Sequence, residues 1–152
     1  MITPKISYIK ELVEPEHQLF HHRIHSCSYN LNRQELSKIL VDNMIHHEGI
    51  GISANQIGIW ERAFAIMAEE DTIVCFNPKI IKSYTEKVSF NEGCLTYPDL
   101  FLDIIRPNSI IAKWEDEDGK IHKEKLTGFT SRVFQHEYDH MEGIDFTQRH
   151  VL

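Results

Sequence analysis

Several things are scarce in this sequence. Its apolar runs are short, and none approaches the ~20 residues that a membrane-spanning helix requires. The amino terminus has no basic segment leading into an apolar signal core, and the two absences together argue for a cytoplasmic protein. Only three cysteines occur, Cys27, Cys75 and Cys94, an odd count without paired spacing. That excludes a disulfide framework and suits a compartment in which thiols stay reduced. Positive charge is also in deficit: 16 Lys and Arg stand against 23 Asp and Glu, a net of -7. A broadly basic, phosphate-neutralising surface is thereby excluded, and nucleic acid is not expected as the primary ligand. Linkers, repeats and low-complexity stretches are missing too. The 152 residues are therefore read as one domain spanning 1–152, long enough to bury about 70% of the surface its unfolded chain exposes.

What is present is a succession of short, well-punctuated elements. Residues 1 to 30 show no sustained period and read as an extended arm with turns, rich in His17, His21, His22 and His25. Asn32 and Glu35 then have the spacing of a capping box, with Leu31 and Leu36 placed as a hydrophobic staple. Leu36, Ile39, Leu40 and Ile45 recur at helical spacing, which predicts a helix from about Arg33 to His47. Gly49, Gly51 and Gly58 interrupt regular structure and mark a loop or short strand in which backbone approaches something closely. Short β-like runs follow at Ala63–Ala68, Thr72–Phe76 (ended by Asn77-Pro78), Ile80–Phe90, Ser109–Trp114 and Lys120–Leu126. The last two flank Asp118-Gly119, a hairpin signal. Thr127 can cap a second helix that runs to about Glu142 and stops at Gly143. The fold class is α+β: mainly antiparallel sheet around a central C-terminal helix, with an N-terminal helix.

That second helix carries the chemistry. His136-Glu137-Tyr138-Asp139-His140 sets two imidazoles four residues apart, so both rings project from one face at chelating distance, with Glu137 beside them. Phe129 and Val133 share that face, whereas Phe134, Tyr138 and Met141 form a separate stripe for the core. A hydrolytic metal site uses three protein ligands and one open position. Cys94, in Glu92-Gly93-Cys94-Leu95-Thr96 after a β-like run, is the best candidate for the third.

Three segments in fixed order carry a family resemblance: Gly49-Ile-Gly-Ile-Ser-Ala-Asn-Gln56, Glu92-Gly-Cys-Leu-Thr96 and Gln135-His-Glu-Tyr-Asp-His140. The chain resembles the peptide deformylases, and from about Leu36 to Phe146 the order of elements matches. The resemblance implies hydrolysis of the N-formyl group from the formyl-methionine of nascent polypeptides, releasing formate. It implies that Cys94, His136 and His140 hold one divalent metal ion, natively Fe(II), with Zn, Ni or Co as substitutes; thiolate and imidazole softness independently suits Zn or Fe(II). Glu137 matches the general base and acid, and Gln56 with the backbone N–H of Leu95 matches the oxyanion donors. Ile50, Gly51 and Gly93 fall where an extended peptide pairs with the enzyme. The pocket for the methionine side chain maps to Ile50, Phe90, Phe129, Val133 and the ring of His136. Arg106, Asp139 and Glu92 correspond to charges that support the helix motif from behind.

The match also departs from the family pattern. Ser53 stands for the first Ala of the loop motif and adds a hydroxyl that needs a partner, Thr96 stands for Ser, and Met141 for Leu. The basic stretch usual after Leu19 is replaced by Phe20-His-His-Arg-Ile-His25; His21, His22 and His25 could form a second metal site, though solvent-facing histidines are the commoner outcome. The chain stops at Leu152, soon after the second helix, like short type 1B and phage-encoded members. It is accordingly expected in the cytoplasm of a bacterium or a phage-infected host. Expected partners are formyl-methionyl nascent chains and, transiently, the ribosome, with no membrane or nucleic-acid site. Two competing readings are an H-E-x-x-H metalloprotease, disfavoured by an upstream Cys as third ligand, and a silent peptide-binding relative, disfavoured because every reactive residue is retained.

Overall fold

The computed structural model describes residues 9–69 and 71–150, so the first eight residues of the arm and the last two residues lie outside it. Helix α1 (Arg33–His46) begins where Asn32 Oδ1 accepts from the Glu35 N–H at 3.1 Å; Glu35 does not return the bond, so the expected capping box is half made. Strand β1 (Gly51–Ser53) leads through a single 3-10 turn, Ala54–Ile57, into β2 (Ala63–Ala68). The remaining strands are β3 (Asp71–Ser83), β4 (Lys87–Cys94), β5 (Tyr97–Pro107), β6 (Ser109–Glu115) and β7 (Ile121–Thr127). Helix α2 (Gly128–Met141) follows directly.

All pairings are antiparallel, forming a five-stranded sheet ordered β1-β2-β3-β6-β7 and a separate β4-β5 ribbon. Helix α2 covers one side of the large sheet, and α1 covers the other side over β1, β2 and β3. Leu36, Leu40 and Met44 of α1 pack on Ile52, Ala63, Ala65 and Phe76. Val133, Phe134 and Met141 of α2 pack on Phe64, Ile66, Ile110, Ala112 and Trp114. Strand β2 shows why: its alternate residues point to opposite faces, and Ala63 to Ile66 are all buried. Small alanines face α1 and large residues face α2.

Two expectations need correction. Asn77-Pro78 does not end a strand. β3 continues through it with a register shift between Phe76 and Lys79, Asn77 adopting φ 50° at the bulge; a bulge tolerates a missing proline N–H. Ile80–Phe90 is likewise not one strand, because the chain leaves the large sheet after Ser83 and begins the ribbon at Lys87. Strand β5 was not anticipated at all.

The termini of α2 are fixed by specific contacts. The Thr127 side chain makes no capping bond to the helix; its Oγ1 lies 3.0 Å from Ser109 Oγ instead. At the other end, Gly143 N–H donates to His140 O and Ile144 N–H to Asp139 O, a Schellman closure with Gly143 at φ 75°. A Cβ there would also lie 2.9 Å from the His21 backbone. The arm is strapped to this corner by Ile24 N–H donating to Met141 O at 2.8 Å.

Candidate active site

The β4-β5 ribbon delivers Cys94 to α2. Its Sγ lies 3.8 Å from His140 Nε2, and the ligand atoms of Cys94, His136 and His140 all fall within 4.8 Å of one another. Each imidazole is oriented from behind. His136 Nδ1 lies 2.9 Å from Glu92 Oε1, and His140 Nδ1 lies 3.0 Å from Glu137 Oε1 and 3.1 Å from Ser53 Oγ. With Nδ1 used in this way, the Nε2 lone pairs are left for an ion. Phe20 covers the His140 ring at 4.7 Å between centroids, and Phe146 covers His136 at 5.7 Å. A thiol and two imidazoles held by carboxylates, converging at this distance, are a donor set that fits a divalent transition metal.

Glu92 anchors the whole arrangement. It accepts from Arg106 Nε at 2.6 Å and Nη2 at 3.0 Å, and from Arg132 Nη1 at 2.6 Å. Burial alone would raise the Glu92 carboxyl, but the bonds from His136 and Arg106 outweigh it and hold it at about 2. Burial opposes charge on His136 in turn, yet Cys94 and Glu92 together push the ring up to about 9. Asp139 takes Arg106 Nη1 at 2.9 Å and a fork from Arg149 at 2.9 and 3.1 Å. The expected Arg106–Asp139 pair with Glu92 is thus formed. Arg132 and Arg149 were missed, since isolated arginines in a sequence look like surface charge.

Gln56 enters from the glycine loop. Its Oε1 accepts the Ser53 N–H at 2.9 Å, which aims Nε2 at Thr96 Oγ1 (2.9 Å) and Cys94 Sγ (3.7 Å). The substituted residue Ser53 is fully buried, and its hydroxyl is satisfied by Asn55 Oδ1 at 2.6 Å. Close approach accounts for two glycines: a Cβ at Gly51 would lie 2.6 Å from Glu137 Oε2, and one at Gly93 would lie 2.7 Å from the Phe101 ring. Leu95 lies in the tight turn between β4 and β5, where Cys94 pairs with Tyr97.

A cleft of about 750 Å³ opens over these groups, lined among others by Ile50, Phe90, Phe129, Val133 and His136, the residues assigned to the methionine pocket, and also by Phe101. Phe90 and Phe129 meet edge to face at 6.1 Å, and Arg132 lies 5.5 Å under the Phe90 ring. The arm histidines do not converge. His22 Nδ1 contacts Gln18 O at 2.8 Å, His21 contacts Pro15 O, and His25 faces Arg23. Among the described residues only Cys94, His136 and His140 form a metal-type cluster. No helix among them is long and apolar enough to cross a membrane.

A helix-borne His-Glu-x-x-His pair facing a cysteine, at the floor of a cleft wide enough for a peptide, defines a metal-dependent hydrolase. Comparison with known proteins sharpens the class. The model of the polypeptide deformylase family matches residues 9–151. A peptide deformylase of Zymomonas mobilis is 37% identical over 124 residues, covering 76% of this chain and 70% of the relative. The crystal structure of peptide deformylase from Thermotoga maritima superposes with a TM-score of 0.90 at 27% identity, over 95% of this chain and 99% of that one. A class I type b peptide deformylase of Acinetobacter baumannii with Met-Ala-Ser bound superposes at 0.87 with 25% identity, over 93% and 98%. The chain belongs to the polypeptide deformylase family. Its activity is the removal of the N-formyl group from nascent polypeptides, and the family is metal-dependent.

Proposed function

We propose the following division of labour, with Fe(II) as the native ion and Zn, Ni or Co able to replace it. Cys94, His136 and His140 would hold the ion. When bound, it supplies Lewis acidity that polarises the formyl carbonyl and lowers the pKa of a water toward ~7. Glu137 takes the proton of the attacking water on its carboxylate and returns it to the departing methionine amine, a contribution of typically ~10²–10⁴-fold. Gln56 Nε2 and the Leu95 N–H donate to the oxyanion as it forms, at ~2.7–4 kcal/mol each in comparable acyl-transfer sites. The Ser53 N–H bond on Gln56 Oε1 fixes the amide so that its donor end faces Thr96 Oγ1 and the Cys94 sulfur.

Ile50, Gly51 and Gly93 would bind the peptide as an added strand, and the methionine thioether would enter between Phe90, Phe129, Val133 and the His136 ring. The Acinetobacter relative with Met-Ala-Ser in place supports that substrate class. Glu92, held by Arg106, orients the His136 ring, and Asp139 holds Arg106 in turn. The polypeptide acts as one domain, in the cytoplasm, with transient contact to the ribosome.

One observation carries this reading: a cysteine sulfur and two ring nitrogens from distant parts of the chain lie within 4.8 Å of one another, with Glu137 beside them. The test is formate release from formyl-Met-Ala-Ser by protein loaded anaerobically with Fe(II). Wild type is expected to release formate, and Glu137→Ala to lose at least ~10²-fold in kcat while retaining the metal. Loaded wild-type protein that releases none would refute the assignment, and internal cleavage of an unformylated peptide would favour the metalloprotease reading.

A further inference from the structure

The net charge of -7 hides an exception. In β6, Ile110, Ala112 and Trp114 are buried against α2, so Ile111 and Lys113 point to the opposite side of the large sheet. The register then aligns lysines across three adjacent strands: Lys79 of β3 pairs with Lys113, and Lys113 pairs with Lys123 of β7. In the neighbouring row Lys82 and Lys125 flank Ile111, and both ammonium groups lie 4.6 Å from the centre of the Tyr84 ring. All five lysines are exposed.

Nothing within the described structure neutralises them. Each of the chain's six arginines is in an ion pair with a carboxylate, whereas none of these five lysines is. Glu115 shares the face but is held by Arg33 at 2.8 Å. Glu124 pairs with Ala112 and so points to the other face, and Asp116 at the adjoining turn is taken by His122. Like charges directly opposite one another on a sheet are destabilising, and with strands about 4.8 Å apart these rows form a compact cationic plate. Because α2 lies under the other face, an occupant here leaves the catalytic cleft open.

We propose that this lysine face docks on the phosphate backbone of ribosomal RNA. The choice of polyanion rests on the substrate: a formylated N-terminus is presented while the chain is still attached to an RNA machine, so RNA is the polymer of regular negative charge at hand. Docking deepens the ribosome contact proposed above and is separable from the chemistry.

The experiment is co-sedimentation with purified 70S ribosomes, with turnover of free formyl-Met-Ala-Ser as an independent readout. Wild type is expected to pellet with ribosomes at ~50 mM salt. Five phosphate contacts at a slope of about -0.7 each should weaken the apparent affinity on the order of 10²-fold by ~200 mM. The triple reversal Lys79→Glu, Lys113→Glu, Lys123→Glu should lose at least tenfold in ribosome affinity with free-peptide turnover unchanged, and the triple Lys→Arg variant should keep both. If the triple reversal fails to turn over peptide, Lys113→Glu alone carries the comparison. Pelleting that is absent, insensitive to salt or unaffected by reversal would overturn the proposal. Binding to phosphatidylglycerol vesicles without binding to ribosomes would assign the face to a membrane and overturn it equally. Failure of peptide turnover in the wild type would instead count against the catalytic reading.

Discussion

Helices α1 and α2 are each 14 residues long and lie on opposite faces of one sheet, yet they are held by different physics. On α1 the buried residues are Leu36, Leu40, Asn43 and Met44, so apolar contact dominates, and it is non-directional. On α2 ten residues are buried and only Val133, Phe134 and Met141 of them are apolar. Of the other seven, five are tied individually to other elements: Arg132 to Val88 O and Ile104 O, Gln135 to Pro107 O, His136 to Glu92, Asp139 to Arg106 and Arg149, and His140 to Ser53. The first helix can be placed by any well-fitting apolar face. The second is held in one orientation because buried polar groups are costly unless each finds its own partner. A site whose ligand atoms must agree within a few tenths of an ångström is built on the second kind of helix.

The sharpest way to break this comparison is at the group α2 is aimed toward. Cys94→Ala is expected to abolish formate release and to leave the protein without its equivalent of metal by elemental analysis, while the thermal transition of the apoprotein changes little; one equivalent still bound would contradict the ligand set. Next is Glu92→Ala, which leaves the buried Arg132 with backbone acceptors alone and Arg106 with only Asp139. Removing one partner of a buried ion pair costs about 3–5 kcal/mol, and loss of support for a ligating imidazole typically costs ~10–100-fold in metal affinity. Denaturant titration and a chelator competition read the two effects separately. Acid does the same more gradually. The folded Glu92 carboxyl sits at about 2, below its ordinary value of 4.5, so its stabilisation is complete above about pH 4.5 and is lost as pH falls toward 2.

The contrast also explains which parts could be read from sequence. Both helices and the β6-β7 hairpin were legible because their signals are local: Asn32 before a 3.6-residue period, Asp118-Gly119 between alternating runs, Gly143 after the last turn. His136, Glu137 and His140 were legible because helical spacing alone brings them to one face. The three-segment resemblance supplied Cys94 and Gln56, whose approach to that face is tertiary. Strand β5 was not legible. It runs from Tyr97 through Pro98 and Asp99 to Pro107, and Ile104 and Arg106 are its only buried residues, so no alternating pattern marks it. Its strand character comes from pairing with β4, with Asp99 at φ 66° absorbing the bulge. Arg132 and Arg149 were invisible for a related reason: a charge reads as solvated until the fold reveals its partner. The lysine face was hidden in the same way, because net charge averages over a surface that the strand register sorts.

Smaller effects test the α1 side. Leu40→Ala removes a fully buried side chain from the α1 cluster and should cost about 2–5 kcal/mol by denaturant titration. Metal affinity should be unchanged, since Cys94, His136 and His140 are not members of that cluster; a loss comparable to that of Glu92→Ala would show that the two faces are coupled and erase the distinction. Smallest is the pair of helix caps. Asn32 accepts from the Glu35 N–H, so Asn32→Ala should cost about 1 kcal/mol, the usual value of a side-chain cap. Thr127 makes no such bond to α2, and its hydroxyl meets the Ser109 hydroxyl instead, so Thr127→Ala should stay within about 0.5 kcal/mol, as for an ordinary surface change. The inequality follows from where each helix is anchored: α1 needs its N-terminus capped locally, whereas α2 is already fixed along its length by Arg132, Gln135, His136 and Asp139. Equal costs for the two caps would mean that those long-range bonds do not hold the catalytic helix in place.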